Sequence, residues 1–380
     1  MRRTIALSIN TAWNVVNFRT SLIHALIKHG YDVVVIAPRD EYAEQIPMPS
    51  CRYIPIAMDN GGTNPLRDLK LLFDFYRIFS KIRPFCFLGY TVKPNVYGSF
   101  AARALQIPTI NNVAGLGTAF IKDSWITVIA KLLYRTAFAS ANKVFFQNND
   151  DLEYFVRFGL VKGAIATRIP GSGIDISRFI PKGNRRQDEP FRFLLVGRLL
   201  WDKGIQEYVD AARLMLHKYP DIEFQMLGFL DVANRTAVPR STVELWESDG
   251  LIVYLGRTDD VAPFIEQAGC VVLPSYREGA PRALLEAASM AKPVITTDVA
   301  GCRDVVDNGV SGFLVKAGDA TDLAAKMEML LLMSEEQRTA MGQKGRDKMV
   351  REFDESIVIA QYLEAIDSLA HDESGIKVGK

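Results

Sequence analysis

The feature that most constrains this chain is a rhythm. Short runs rich in β-branched and aromatic residues alternate with amphipathic stretches long enough for helices. In the first half the runs are Thr4–Ile9, Asp32–Ala37, Arg52–Ile56, Phe85–Gly89, Pro108–Asn111 and Lys143–Gln147, with helical spacing near Arg19–His29, Leu66–Ile82, Asn95–Leu105 and Ser124–Ser140. A second series runs Phe191–Val196, Glu223–Leu227, Ile252–Leu255, Val271–Pro274, Val294–Thr297 and Gly312–Val315. Strands separated by helices of this length predict βαβ units and parallel sheets. A length of 380 residues suits two domains. The polar stretch Pro181–Pro190, with prolines at both ends, has the composition of a linker. The expectation is therefore an α/β protein of two doubly wound domains, 1–180 and 181–354. Ligands in such sheets bind beyond the carboxyl ends of the strands, so the cleft between the domains is the expected site.

Composition narrows the class. With 48% hydrophobic and 23% charged residues the chain is globular rather than disordered. No apolar run approaches the roughly 18 residues of a spanning helix. Arg2 and Arg3 start the chain like a signal peptide, but the apolar stretch stops at Asn10 and reads better as a first strand. Cys51, Cys86, Cys270 and Cys302 lie far apart with no CxxC spacing, which predicts reduced thiols in a cytoplasm. The net charge of +1 hides an asymmetry: residues 1–180 carry 21 Lys+Arg against 12 Asp+Glu (+9), and the rest carry 24 against 32 (−8). One half is thus suited to an anionic partner. Basic clusters interleaved with aromatic readers are absent, so nucleic acid is not expected; an anionic membrane surface or a phosphorylated lipid fits as well or better.

Two local patterns carry chemistry. After the strand ending at Pro274 come Glu278, Gly279, Ala280, Pro281, Arg282, Ala283, Leu284, Leu285 and Glu286. Proline favours the first helical turn, whose exposed N–H groups can receive a phosphate or a sugar hydroxyl. The two carboxylates can accept hydrogen bonds from a sugar and a ribose; equally, a glutamate before a helix start is a common dipole preference. The second pattern is Gly197 and Arg198 at a strand end, followed by Lys203 before a helix. Both cations can converge on one diphosphate, or both can be solvated turn charges.

Together the patterns resemble the retaining glycosyltransferases of family 4, whose GT-B fold is two facing Rossmann-like domains with an interdomain cleft. The family's spaced glutamate pair matches Glu278 and Glu286, and its diphosphate-binding cations match Arg198 and Lys203. Ile169-Pro170-Gly171-Ser172-Gly173-Ile174-Asp175, Tyr254-Leu255-Gly256 and Gly309 through Val315 extend the resemblance. Trp13-Asn14, Asn17-Phe18-Arg19, Thr91-Val92-Lys93-Pro94-Asn95 and Gly115-Leu116-Gly117 resemble a subgroup that builds O-antigen, capsule or glycan-carrier saccharides on polyprenyl diphosphate.

The resemblance implies an N-terminal acceptor domain, a C-terminal nucleotide-sugar domain, and a helix over 355–380 packing back on the first. It implies catalytic roles for Arg198, Lys203 and Glu278, and donor contacts at Gly197, Gly279, Ala280, Pro281, Leu285 and Glu286. Acceptor contacts would fall at Asn14, Arg19, Lys93 and Asn95. The donor, a UDP-sugar, is a substrate, and no cofactor is expected. The chain has no Asp-x-Asp triplet, so no metal is expected either. A peripheral position on the cytoplasmic face of the inner membrane is implied, through basic helices at Leu66–Arg83 or Phe120–Lys143, the latter with Lys122, Lys131 and Arg135. One departure is the catalytic histidine of many relatives: His24, His29, His217 and His371 all read as structural or surface residues. A soluble acceptor, a nucleotide-sugar epimerase on the same fold, or a non-catalytic nucleotide-sugar-binding subunit are the alternatives left open.

Overall fold

The computed structural model describes residues 2–46, 49–59, 62, 64–116, 125–183, 189–232 and 234–376. Gly117, Lys122 and much of the linker stretch fall outside them. Seven parallel strands form a first sheet: β1 (Thr4–Ser8), β2 (Asp32–Ala37), β3 (Cys51–Pro55), β4 (Cys86–Tyr90), β5 (Thr109–Val113), β6 (Lys143–Phe146) and β7 (Ala166–Arg168), in the order β3-β2-β1-β4-β5-β6-β7. Six more form a second: β8 (Phe191–Val196), β9 (Ile222–Leu227), β10 (Val253–Tyr254), β11 (Cys270–Leu273), β12 (Val294–Thr297) and β13 (Gly312–Val315), in the order β10-β9-β8-β11-β12-β13. The strand order reverses between β1 and β4 in one sheet and between β8 and β11 in the other, the switch points at which doubly wound sheets bind ligands.

Each sheet is covered on both faces. Successive side chains of a strand point to opposite sides, so Ile5, Leu7, Val33, Val35 and Ala37 join one apolar cluster while Ala6, Val34 and Ile36 join another. The first cluster is closed by the helices Thr20–Lys28 and Glu355–Ile376, through Leu22, Ile23, Leu26, Val358, Tyr362 and Ile366. The opposite face is closed by Pro65–Ile82, Ser99–Ala104 and Trp125–Phe138. In the second sheet Phe193 and Leu195 face one layer, Leu194 and Val196 the other.

The chain divides into two compact units, Met1–Ser172 with Glu355–Lys380, and Gly173–Asp354. The break therefore precedes the expected 180/181 boundary. Ile174 is buried and its N–H bonds the Phe353 carbonyl at 2.8 Å, and Phe179 is buried in the same cluster, which ties these residues to the second unit. Several elements differ from expectation. β7 has only three residues, all half-buried, and carries no apolar signature. The helix Ala12–Phe18, capped by Thr11 accepting from the Asn14 N–H, was not foreseen. The stretch expected as one helix over Asn95–Leu105 is a π-helical turn, Pro94–Gly98, followed by Ser99–Ala104. All four cysteines are buried and unpaired. Among the described residues no helix is long and apolar enough to cross a membrane.

The returning helix is locked in by polar contacts as well as apolar ones. Asn112 Nδ2 donates to Tyr362 Oη at 3.0 Å, while Gln147 Nε2 donates to Asn112 Oδ1 at 3.2 Å. Tyr362→Ala would remove a fully buried ring and leave Asn112 unsatisfied, at a cost of about 3 kcal/mol or more. In scanning calorimetry the melting of the first unit should move down while that of the second stays in place.

Candidate functional site

At the switch point of the second sheet two loops meet. The loop after β8 runs through Gly197 and Arg198 into a single turn, Trp201–Lys203, and then Gly204 at φ +72°. A Cβ on Gly204 would sit 2.0 Å from the Pro274 carbonyl oxygen, so a side chain there would force the two backbones apart. The Asp202 carbonyl accepts from the Tyr276 N–H at 2.9 Å and from Ser275 Oγ at 3.1 Å. The loop after β11 is held from its other side too. The Glu278 N–H bonds the Ala300 carbonyl at 3.1 Å, and a Cβ on Gly301 (φ +78°) would lie 2.4 Å from the Gly279 oxygen.

This double clamp brings together residues 75 positions apart: Lys203 Nζ donates to Glu278 Oε1. Both side chains are mostly covered, at 20% and 12% exposure, so the ion pair is little screened by water. Cys302 lies under the pair, its thiol pushed up to about 12 by burial and by the nearby Glu278 charge. Arg198 is exposed and its side chain has no hydrogen bond or ion pair among the described residues. One arginine free to move and one lysine held by a carboxylate thus flank the opening.

Pro281 is the N-cap of the helix Arg282–Ser289 rather than its first residue, and no side chain caps that end. Glu286, one turn in, is buried; Arg282 Nε donates to its Oε1 at 3.3 Å, and Arg282 Nη1 donates to the Gly173 carbonyl at 2.6 Å. Burial raises the Glu286 carboxyl above a glutamate's usual range, with Arg282 and then Arg178 opposing the shift. Glu278 and Glu286 therefore occupy separate environments, each against its own cation. Leu285 is fully buried in the core, which leaves its side chain no access to a ligand. Arg282 and Arg178 were missed by sequence reasoning; the signal for Arg282 was its position four residues before Glu286 on one helix.

The acceptor-side residues scatter. Arg19 follows β1 and lies over the ring of Tyr90, the last residue of β4, at the first sheet's switch point. Asn14 Nδ2 donates to Asn10 Oδ1 at 2.9 Å in the same segment. Lys93 and Asn95 are engaged elsewhere. Lys93 Nζ is bonded to Asp68 Oδ1 at 2.6 Å, beside Tyr97, whose hydroxyl donates to Asp68 Oδ2 at 2.9 Å. Asn95 is fully buried, donating to the Asn112 carbonyl at 2.8 Å and accepting from Asn111 Nδ2 at 3.0 Å. His24, His29 and His217 are exposed on helices. Among the described residues no group of three His, Cys, Asp or Glu side chains could hold a metal ion.

The raised carboxyl of Glu286 fixes the sign of a pH effect. The folded state holds that proton more tightly than the unfolded one, so its stabilising contribution is complete below about pH 4.3, the ordinary glutamate value, and is lost as pH rises through the folded pKa. Glu286→Gln should therefore become more stable relative to the parent as pH rises toward neutrality, as read by thermal unfolding at stepped pH. The same variant should bind nucleotide more weakly.

Comparison with known proteins agrees with this geometry. Residues 177–348 match the family model described as Glycosyl transferases group 1, and residues 4–148 match Glycosyl transferase 4-like. An N,N'-diacetylbacillosaminyl-diphospho-undecaprenol alpha-1,3-N-acetylgalactosaminyltransferase of Campylobacter jejuni is 26% identical over 370 residues, covering 93% of this chain and 96% of its own. A UDP-Gal:alpha-D-GlcNAc-diphosphoundecaprenol alpha-1,3-galactosyltransferase of Escherichia coli is 26% identical, covering 67% of this chain and 68% of its own. The fold is that of sucrose-phosphate synthase from Thermosynechococcus elongatus (TM-score 0.81, 20% identity, 98% of this chain and 100% of that one). It is also that of Anabaena HepE in complex with UDP-glucose (TM-score 0.79, 17% identity, 97% and 100%). Two Rossmann-like units, each with its ligand-type switch point, and two family models that between them span most of the chain make it a glycosyltransferase of family 4, with the GT-B fold.

Proposed function

We propose that this enzyme transfers a hexose or N-acetylhexosamine, with retention, from a UDP-sugar to a saccharide carried on polyprenyl diphosphate. The observation that carries the reading is the Lys203–Glu278 pair beside unpartnered Arg198 at the β8/β11 switch point. The near end-to-end match to a transferase whose name specifies a diphospho-undecaprenol acceptor supports the acceptor class. In this scheme the donor diphosphate takes Lys203 away from Glu278 and draws in Arg198. Both cations then offset the charge that grows on the departing diphosphate, which is where stabilisation accelerates the step. Glu278, released from Lys203, orients the donor sugar; Glu286 holds the ribose, and the backbone of Gly197 and of Gly279 to Pro281 lines the sugar and phosphates. The acceptor hydroxyl attacks from the leaving-group face, passing its proton to the departing phosphate oxygen. Side-chain cations fill the role a divalent ion has in other transferases.

The reading is tested by incubating the protein with UDP- and GDP-sugars and a short-chain lipid-diphosphate saccharide, following nucleotide release and product mass. Lys203→Ala should lower turnover by about a hundredfold, the equivalent of roughly 3 kcal/mol, with a smaller loss of donor affinity. Turnover should persist in EDTA.

We further infer a peripheral position on an anionic, cytoplasmic membrane face, because two helices of the first unit have a second apolar stripe. Pro65–Ile82 buries Leu71, Phe75 and Phe79, yet Leu66, Leu69, Phe73 and Tyr76 remain exposed at helical spacing, by 78%, 62%, 59% and 41%. Trp125–Phe138 likewise buries Tyr134 and Phe138 and exposes Trp125 (69%), Val128 (67%), Ile129 and Leu132 (63%). A helix packed on a sheet needs one apolar face; a second, among Lys70, Arg77, Lys81 and Arg135, suits a lipid interface. Lys131, expected as a membrane contact, instead lies over the rings of Tyr154 and Phe158. Both helices pack against the Pro94–Gly98 turn, so they flank one region of the unit. Changing Leu69, Phe73, Trp125 and Leu132 to Ser should abolish sedimentation with acidic vesicles while leaving the melting temperature nearly unchanged. In the parent, vesicle binding should weaken with salt, since each basic residue near the surface contributes about 1 kcal/mol that is screened beyond roughly 8 Å at physiological ionic strength.

A further inference from the structure

Arg19 is a buried cation with no anion. It is 5% exposed, and its Nη1 donates only to the neighbouring Phe18 carbonyl, at 3.2 Å. Its Nε is buried without a hydrogen-bond partner. Among the described residues no carboxylate pairs with it. Other poorly exposed cations of the chain are satisfied differently. Lys93 has Asp68, Lys348 has Asp307, and Arg192 has Glu189 and Glu223. Arg346 lacks a carboxylate but donates to the carbonyls of Phe179, Ser289 and Ile176. A guanidinium taken from water without either kind of compensation is costly.

What Arg19 has instead is an aromatic floor. Its guanidinium carbon lies 4.3 Å from the centroid of Tyr90, and the Tyr90 ring packs against Tyr362 at 6.0 Å. A cation over a ring recovers part of the lost hydration and leaves the N–H edges for a planar acceptor. Burial pushes both phenols above their usual range, so neither supplies a counter-charge. This floor stands where the strand order of the first sheet reverses, at the carboxyl ends of β1 and β4.

We propose that Arg19 is the receptor for the diphosphate of the acceptor lipid, and that the floor beneath it is completed by Tyr362 of the returning helix. The inference rests on the lipid-diphosphate reading above and deepens it by naming the group that reads the headgroup. Lys93, spent on Asp68, takes no part. A diphosphate at this place can come from either substrate, so the experiment separates them.

Full-length protein saturated with UDP, which fills the donor site, is titrated with inorganic pyrophosphate and the heat is followed. The parent should bind one pyrophosphate. Arg19→Met should bind it about ten- to hundredfold more weakly, the usual worth of a charge-assisted pair of hydrogen bonds, and Arg19→Lys should fall between. In turnover assays Arg19→Met should raise KM for the lipid-diphosphate acceptor by a similar factor, with KM for the UDP-sugar unchanged. Should the Met variant fail to fold, the Lys variant carries the comparison, because it keeps the charge and loses the fork. Unchanged pyrophosphate binding in a folded variant, or no binding to the UDP-saturated parent, overturns the proposal; so does a rise in donor KM instead of acceptor KM. Arg19-dependent pyrophosphate binding in a protein that transfers nothing to lipid diphosphates upholds the anion site and refutes the acceptor assignment.

Discussion

The close approach of the backbone at Gly204 to the carbonyl of Pro274 is the contact on which the donor side depends. Lysine and glutamate are flexible, and at 75 residues' separation nothing local could hold them in register. Their pairing is set by two turns that cannot separate without breaking backbone hydrogen bonds, and that cannot accept a Cβ between them. The Gly301 contact performs the same service from the far side. An electrostatic site is useful for catalysis only if its charges are fixed before the substrate arrives, and here the fixing is done by main chain rather than by side-chain packing.

The two sheets use one topological device differently. In the second, the switch point gathers opposite charges, and the donor would exchange one partner for another. In the first, the corresponding place holds a cation against rings and no carboxylate. The first arrangement is electrically balanced when empty; the second is not.

Much of this was legible in the residues. The strands Phe191–Val196, Val294–Thr297 and Gly312–Val315 lie at their expected bounds, because parallel strands buried on both faces leave unbroken apolar runs. β7 and the helix Ala12–Phe18 escaped notice for the opposite reason: they are short and mostly half-buried, and periodicity needs length to register. The motif residues around Glu278 were found by spacing, but the partner of each was not. Lys203 against Glu278 is a consequence of strand order, and Arg282 against Glu286 of helical pitch. Lys93 and Asn95 illustrate the limit most clearly. A lysine and an asparagine after a strand have the chemistry of a binding loop, and only burial reveals that Asp68 and the asparagine cluster have already taken them.

The chain leaves its first unit at Ser172 and returns to it at Glu355. The hydrogen bond between Asn112 and Tyr362 therefore closes a loop of 250 positions. During synthesis the first sheet would emerge early with one of its faces bare of the last covering helix, and would wait for the whole of the second unit before that helix was made. The second unit is continuous in sequence and meets no such delay. The order of completion is thus the reverse of the order of translation, and the apolar face around Leu88, Ile110 and Phe145 is the surface a nascent chain would have to keep from aggregating in the interval.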